Sequence, residues 1–364
     1  MEAEAGQQQY PLPPSTIDAR QYTSAAQFDR EIEHIFHKVW LRAVPVQDVA
    51  NPKDYVIWEQ LGQSIVIARQ EDETLVAWHN VCQHRGARLV AESGHCASGR
   101  FVCPWHGFIY DLSGKLRIAP LRKAFDEAEL TGLRTPQVRL DTFGGFVWLC
   151  LSEDAPDLKS YLADIGQELD WFGLDGFDVR YRMDLTLDAN WKVVVDAFNE
   201  TWHVPFTHQE TLADVVRWGK AHLRICDPHS WMTIPVKGLT DRAADGSDHR
   251  ASHITHYLAF PNIIYSCFPT HLQTWSIWPD GPDKTRFLAW GMVGPCPDGV
   301  SEEKWALQND RDWNHFRAVS SEDARVLNGW GTVAKSLGQK RYLFNAAEGR
   351  LTAFHREVDR LTRT

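Results

Sequence analysis

The chain of 364 residues has no long apolar run. Its longest, FGGFVWLCL at residues 143–151, falls well short of the ~20 residues a membrane span needs. Positive charge is in deficit: 38 Lys and Arg face 48 Asp and Glu, a net charge of −10. With no basic tract to override that balance, nucleic acid is excluded as a partner. No Gly-x-Gly-x-x-Gly follows any strand-like segment, so no nicotinamide or flavin site is expected within the chain. Repeats of 20–50 residues are missing, as are low-complexity blocks. The opening MEAEAGQQQYPLPPST lacks the basic and apolar regions of a signal peptide. Together with only seven cysteines, that leads us to expect reduced thiols and a cytoplasmic location.

What is present suits a soluble globular chain: 43% apolar and 24% charged residues, at a length that suggests two domains. Phe28, Ile32, Ile35 and Phe36 recur at helical spacing. DYVIWEQ, QSIVIARQ and TLVAWHNV are short β-branched and aromatic runs, and RFVCPWHGFIYD and FGGFVWLCLS extend the pattern. Residues 43–152 are therefore expected to form an all-β domain, with 1–42 a tail and helix packing on the domain that follows. Beyond EDAPDLKS, ANWKVVVDAFNETWH is helical in period. HSWMTIPV, THYLAF, NIIYSCF, HLQTWSIW and TRFLAWGM read as one antiparallel sheet, and the last sixty residues return to helix. The expected fold class is α+β, with residues 153–364 as the second domain.

Sixteen histidines are many for this length, and their placement is not random. Cys82-Gln83-His84 and Cys103-Pro104-Trp105-His106 stand eighteen residues apart, each where a strand gives way to a loop. Two thiolates and two imidazoles converging on one point make a soft site, for zinc or an iron–sulfur cluster. One Cys and one His per loop suits an asymmetric [2Fe–2S] centre, with Cys82 and Cys103 on one iron and His84 and His106 on the other. CQHRGARL followed by CPWHGFIYDLSGKL resembles the cluster motif of the Rieske non-haem iron oxygenases. His95 and Cys96 fall outside that motif and read as loop residues.

In NWKVVVDAFNETWHVPFTH, Asp196, Glu200 and His203 fall at i, i+4 and i+7, one face of a helix. Unpaired burial of such groups would be costly, and a metal ion offsets that cost. His208 can reach the same ion if Pro205 kinks or ends the helix. Two His and one carboxylate form the facial triad of non-haem Fe(II) enzymes. The segment again resembles the Rieske oxygenases, in which Asn-Trp-Lys precedes a carboxylate and a His-x4-His pair. The resemblance implies that His203 and His208 bind Fe(II). Glu200, where ring-dihydroxylating members usually carry Asp, would not ligate the iron. It would hydrogen-bond His203 and, across a subunit boundary, His106 of the partner subunit. Asp196 would be a supporting hydrogen-bonding group. The third ligand would be Asp323 of SSEDARVL, with Glu322 as the alternative, although Ser320-x-x-Asp323 also fits a helix capping box.

The resemblance spans residues 40–355 and implies a Rieske domain followed by a helix-grip catalytic domain, assembled as a homotrimer. It further implies a terminal oxygenase that takes O2, and electrons from NAD(P)H through a separate reductase, with or without a ferredoxin. An aromatic or related apolar organic substrate is expected, as in aromatic catabolism, in a pocket lined by Tyr257, Phe260, Tyr265, Phe268, Trp275 and Trp278. O- or N-demethylation, including that of a quaternary amine, is the alternative chemistry. A Rieske-type electron carrier and a zinc-stapled structural protein are the readings from other classes. His249, His253 and His256 are expected in a solvated loop. Cys150, Cys226, Cys267 and Cys296 are expected to be core residues.

Overall fold

The computed structural model describes residues 11–240, 249–268 and 271–363; the expected tail at residues 1–10 lies outside them. The chain groups into two compact units: Phe36–Tyr161, and the residues up to Ile35 together with those from Leu162 onward.

The Phe36–Tyr161 unit holds a seven-stranded antiparallel sheet and a three-stranded one. In the larger sheet, Asp54–Gln60 and Gln63–Arg69 are joined by Leu61-Gly62, both at positive φ. That backbone gives a two-residue hairpin whose twist matches the strands. The smaller sheet joins Arg100–Val102, Ile109–Asp111 and Leu116–Ile118. Its core packs Val66, Trp78, Phe101, Phe108 and Tyr110 around Cys82 and Cys103. The Trp78 indole N–H donates to the Leu112 carbonyl at 3.0 Å, so the largest buried ring leaves no polar atom unpaired.

In the other unit, seven antiparallel strands run across the sheet as Asp178–Leu187, Thr285–Val293, Leu272–Pro279, Ile263–Cys267, His253–Ala259, His229–Pro235 and His222–Cys226. Every residue of Ile263–Cys267 and Leu272–Pro279 is buried. Strands covered on both faces read as unbroken apolar runs rather than alternations, as NIIYSCF and HLQTWSIW do. Each fully buried Ile or Phe there contributes about 1.5–3 kcal/mol.

Among the helices of this unit are α1 (Ala25–Glu31), α2 (Trp191–Ala197), α3 (Glu302–Val333) and α4 (Gly349–Thr362). The Ser24 hydroxyl caps α1 by accepting from the Gln27 amide at 3.3 Å. Asn190 caps α2 by accepting from the Lys192 amide at 3.0 Å. Helix α1 faces the unit with a charge: Glu31 is fully buried and accepts from the Lys192 ammonium and the Trp191 indole of α2, both at 2.8 Å. Burial pushes the Lys192 ammonium pKa down, against the pull of Glu31 and Asp196. The Asn-Trp-Lys triplet thus caps α2 and ties it to α1.

Three expectations need correction here. Asp196, Glu200 and His203 do not share a helix face, because α2 ends at Ala197 and a short helix, Val204–Thr207, begins only after His203. Pro205 lies in the first turn of that short helix, where a missing N–H costs nothing, and it breaks no longer helix. Residues 302–333 form one unbroken helix. Ser320 and Asp323 lie inside it, so the capping-box alternative fails for want of a helix start.

Candidate metal centres and substrate cavity

In the β unit, the two Cys–His loops share a backbone plan. The Cys82 amide donates to the Ala87 carbonyl and the Cys103 amide to that of Phe108, both at 2.8 Å. The Gly86 amide donates back to Cys82 at 2.9 Å and the Gly107 amide to Cys103 at 3.1 Å. Both glycines have positive φ, 75° and 70°, which the return of each loop requires and which L side chains rarely adopt. The result is two like fingers, each with its Cys at the buried root. The His84 and His106 rings meet edge to face, 4.6 Å between centroids, and His84 stacks on Phe108.

Burial pushes the Cys82 thiol pKa up, and Cys103 adds to the shift while the Tyr110 hydroxyl, 3.4 Å from the sulfur, works against it. Two thiolates this close need a cationic centre between them. The buried Nδ1 of His84 has no hydrogen-bond partner among the described residues. Paired sulfurs and an unpartnered imidazole fit an iron–sulfur cluster held between the two fingers. His95 and Cys96 lie apart: His95 pairs with Asp54 at 2.9 Å, and the Cys96 thiol donates to the Arg100 carbonyl at 3.4 Å.

The second constellation lies wholly within the other unit. His203 and His208 stand at the two ends of the one-turn helix Val204–Thr207. Asp323 reaches them from the middle of α3. Its Oδ1 is 3.0 Å from His208 Nε2 and 4.0 Å from His203 Nε2. One ligand atom from each of the three residues falls within 4.8 Å of the others, close enough for a single ion. The remaining ring nitrogens are also spoken for. Glu200 accepts from His203 Nδ1, while Trp202 and His203 amides hold the same carboxylate. Glu322 lies 2.7 Å from His208 Nδ1 and accepts from the Thr211 hydroxyl at 2.7 Å.

A carboxylate on each Nδ1 fixes the tautomer and leaves both Nε2 atoms free to ligate. Burial alone would lower the His208 pKa, but Asp323 and Glu322 outweigh it and raise the value. An ion would take the place of that proton. Two His, one Asp and an apolar surround fit a mononuclear Fe(II) centre with open positions.

Glu322, the sequence alternative to Asp323, is therefore placed on His208 and not on the ion-facing side. Asp196 does not join the triad. It accepts from Tyr22 at 2.7 Å and pairs with His355 Nε2 at 3.0 Å, linking α2 to the N-terminal segment and α4. Burial, and then the Asp196 charge, push the Tyr22 hydroxyl pKa well up, so it stays a donor.

A cavity opens beside His203, His208 and Asp323. The expected aromatic wall is only partly there. Phe268 and Trp275 line the cavity, together with Phe198 and Phe316 from α2's end and α3. Tyr257 and Tyr265 pair with one another across neighbouring strands, and strand alternation places them on the opposite face from His256 and Ser266. By the same alternation Trp278 faces away from Trp275, and Phe260 packs on Phe354. His249 begins a short turn, but His253 and His256 belong to strand His253–Ala259, and His256 lines the cavity. The solvated-loop reading fails because THYLAF extends its strand back through that segment. Cys150 and Cys267 are buried, whereas Cys226 and Cys296 are half-buried.

Comparison with known proteins agrees with this geometry. The family described as "Ring hydroxylating alpha subunit (catalytic domain)" matches residues 174–364, and "Rieske [2Fe-2S] domain" matches residues 39–138. The glycine betaine monooxygenase oxygenase subunit of Pseudomonas aeruginosa is 29% identical, covering 84% of this chain and 81% of its own. The carnitine monooxygenase oxygenase subunit of Escherichia coli K12 is 32% identical over 53% of this chain and 52% of its own. Among solved structures, a quaternary ammonium Rieske monooxygenase superposes with a TM-score of 0.82 at 20% identity, covering 96% and 95% of the two chains. Naphthalene 1,2-dioxygenase gives 0.77 at 18% identity, covering 96% and 92%.

The chain belongs to the Rieske non-haem iron oxygenases, as an oxygenase alpha subunit. It is an oxidoreductase that carries a Rieske [2Fe–2S] cluster and a mononuclear Fe(II), with an N-terminal Rieske domain followed by the catalytic domain. The electron-carrier and zinc-stapled readings are thereby set aside. No helix among the described residues is long and apolar enough to cross a membrane.

Proposed function

We propose that this chain hydroxylates a neutral aromatic or related apolar compound at an iron held by His203, His208 and Asp323. In this reading Cys82, Cys103, His84 and His106 hold the cluster. When bound, the cluster supplies single electrons and the ferrous ion an open position for O2. The protein's own part is to orient and to exclude water. Glu200 and Glu322 hold the two imidazoles by Nδ1, and the apolar cavity keeps solvent from the reacting carbon. Glu200 is also proposed to link His203 to His106 of the partner subunit in a homotrimer, with electrons entering from a separate reductase, with or without a ferredoxin. A cytoplasmic location, a role in aromatic catabolism and functional domains at 43–152 and 153–364, with residues 1–42 packing on the second, belong to the same proposal.

The observation that supports the substrate class is the cavity wall. Leu212, Met232, Ile234, Phe268 and Trp275 stand there, and among the described residues neither Lys nor Arg does. Such a wall offers no Lys or Arg counter-charge to the carboxylate of a zwitterion, whose burial without one is costly. N-demethylation of a quaternary amine is the second reading. It is supported by the similarity to glycine betaine and carnitine monooxygenases and by four aromatic rings at the wall. Three of those rings pack on one another, however, and the fourth, Phe268, stacks on His271. Trp275 stacks on Phe316 at 5.4 Å, with Phe198 at 4.9 Å. A cation cage needs ring faces turned toward the guest.

The test is O2 consumption with a surrogate reductase and product analysis under labelled O2. Naphthalene and ethylbenzene are compared with glycine betaine, carnitine and choline. Labelled hydroxylated arene supports the proposal. Formaldehyde or aldehyde from the amines alone overturns it. Glu200→Gln should keep both metal centres and lose at least ~100-fold in turnover, as expected for a group in a proton or electron path; unchanged turnover removes it from that role.

A further inference from the structure

Three residues that line the cavity each carry a buried polar atom with no hydrogen-bond partner among the described residues: Trp275 Nε1, His256 Nδ1 and Ser320 Oγ. Buried donors and acceptors are nearly always satisfied, and each exception calls for a reason. Trp275 is 2% exposed, so water does not serve as a general substitute. An indole N–H left unpaired costs about 1–3 kcal/mol. Two other buried indoles of the chain are satisfied: Trp78 donates to Leu112, and Trp191 donates to Glu31.

The register brings two of the three together. Met232, His256, Ser266 and Gln273 pair in sequence across four adjacent strands, and all four line the cavity. Trp275 follows Gln273 by two residues and so faces the same side. Its ring centroid is 6.2 Å from that of His256. On the far side of the imidazole, Ser266 Oγ lies 3.2 Å from Nε2. In the tautomer in which that hydroxyl donates to Nε2, Nδ1 carries the ring proton and is a second N–H donor. Burial, with the charges of Arg350 and His203, pushes the imidazole pKa down to about 3, so the ring stays neutral.

We infer that Trp275 Nε1–H and His256 Nδ1–H form a polar anchor for a hydrogen-bond-accepting oxygen on an otherwise apolar ring substrate, a carbonyl or ether of neutral charge. The inference rests on the proposed substrate class and narrows it. An indole donates only, so the anchored group must accept. Two neutral donors on a wall that carries the carboxylates of Glu200 and Asp323 and, among the described residues, no Lys or Arg suit a neutral oxygen better than a carboxylate, which would bring an unpaired charge. The anchor would also decide which carbon of the substrate meets the iron, as hydrogen bonds set orientation within apolar pockets. Trp275 and His256 are in this sense specificity-determining residues.

Acetophenone and ethylbenzene, near-isosteres that differ by one oxygen, serve as probes in anaerobic calorimetric titrations of the reduced holoenzyme. The expected result is that acetophenone binds about tenfold more tightly. Trp275→Phe keeps the ring and removes the donor. It should cost acetophenone about tenfold and leave ethylbenzene within about twofold. His256→Leu should act in the same direction, and the double variant should erase the preference. Retained iron and cluster absorbance in each variant certify the fold.

Equal binding of the two probes by the wild type overturns the anchor and leaves the apolar-substrate reading standing. A preference that survives both substitutions overturns the assignment to these two residues. If neither probe binds while a quaternary amine does, the substrate reading falls and the anchor falls with it.

Discussion

The two histidine pairs of this chain are built on opposite plans. His84 and His106 stand on loops whose ligands and turn-closing backbone bonds come from within residues 82–108, with Asn80 holding the Leu89 and Val90 amides close by. Arg85 lies over the neighbouring Trp105 ring at 4.4 Å, and neither imidazole has a carboxylate partner among the described residues. His203 and His208 each have one on Nδ1, and the structure behind them is drawn from across the sequence: Glu322 from α3, Glu31 from α1, and Tyr22 and His355 around Asp196. A cluster site can thus be local and self-supporting, whereas the single-ion site depends on remote buried charges. The first plan suits a centre whose own sulfides knit it together. The second suits an ion with open positions, which must be held by few ligands and is only as rigid as their supports.

Separate loss of the two centres is the strongest way to break that contrast. His208→Ala should abolish turnover and lower the iron content from about three to about two per chain, with the red-brown cluster spectrum unchanged. Cys103→Ser should bleach the spectrum and spare the mononuclear site. If either substitution empties both centres, the two are not independent. Next in size is Glu31→Gln, which leaves Lys192 buried without its counter-charge. A loss of about 3–5 kcal/mol is expected for such a broken pair. In urea titrations the iron site should fail well before the cluster absorbance does; simultaneous loss would contradict the division of labour.

A smaller effect sharpens the role of Glu322. Glu322→Gln should weaken iron binding by about 10–100-fold without abolishing it, as expected of a support to a ligand. Asp323→Asn should cost far more, and a reversed order in metal titrations would make Glu322 the ligand. The smallest effect is on pH dependence in chelated, metal-free protein. His208 is raised above its ordinary 6.5. Its contribution to stability is therefore full below that value and fades as the pH rises through the folded-state pKa. His106 is held below 6.5 by desolvation, His84 and Arg85. Its contribution is present above 6.5 and is lost on acidification through the folded-state pKa. Melting temperatures of single His→Ala variants across pH 5–8 should show slopes of opposite sign.

The same contrast explains what could be read from the sequence. The cluster fingers were legible because Cys-x-His and Cys-x-x-His each place their ligands by one short turn. The strands were legible as β-branched and aromatic runs. His203, His208 and Asp323 were within reach because their residue types and the Glu-Asp pair resemble a known pattern. The bracing around them was not. Glu322 meets His208 across 114 residues, and no periodicity announces such a contact, although an acid next to a ligand acid was a usable signal. Asp196, Glu200 and His203 fit a helix stripe in the sequence, but the chain leaves the helix at Phe198 and reaches the ion from a turn. The cavity-facing aromatics were misassigned because a strand buried on both faces hides which alternate residues look inward. Tyr257 and Tyr265 lost that ambiguity only once the register was known.

The unbroken course of α3 from Glu302 to Val333 has a consequence for how this chain can vary. Each residue turns a helix by about 100°. One residue inserted between Phe316 and Glu322 would swing the Glu-Asp pair away from His208, while an added residue before Ser301 would leave it in place. Length changes among kin should therefore gather in the loops ahead of that rod, and the stretch from Phe316 to Asp323 should keep its count.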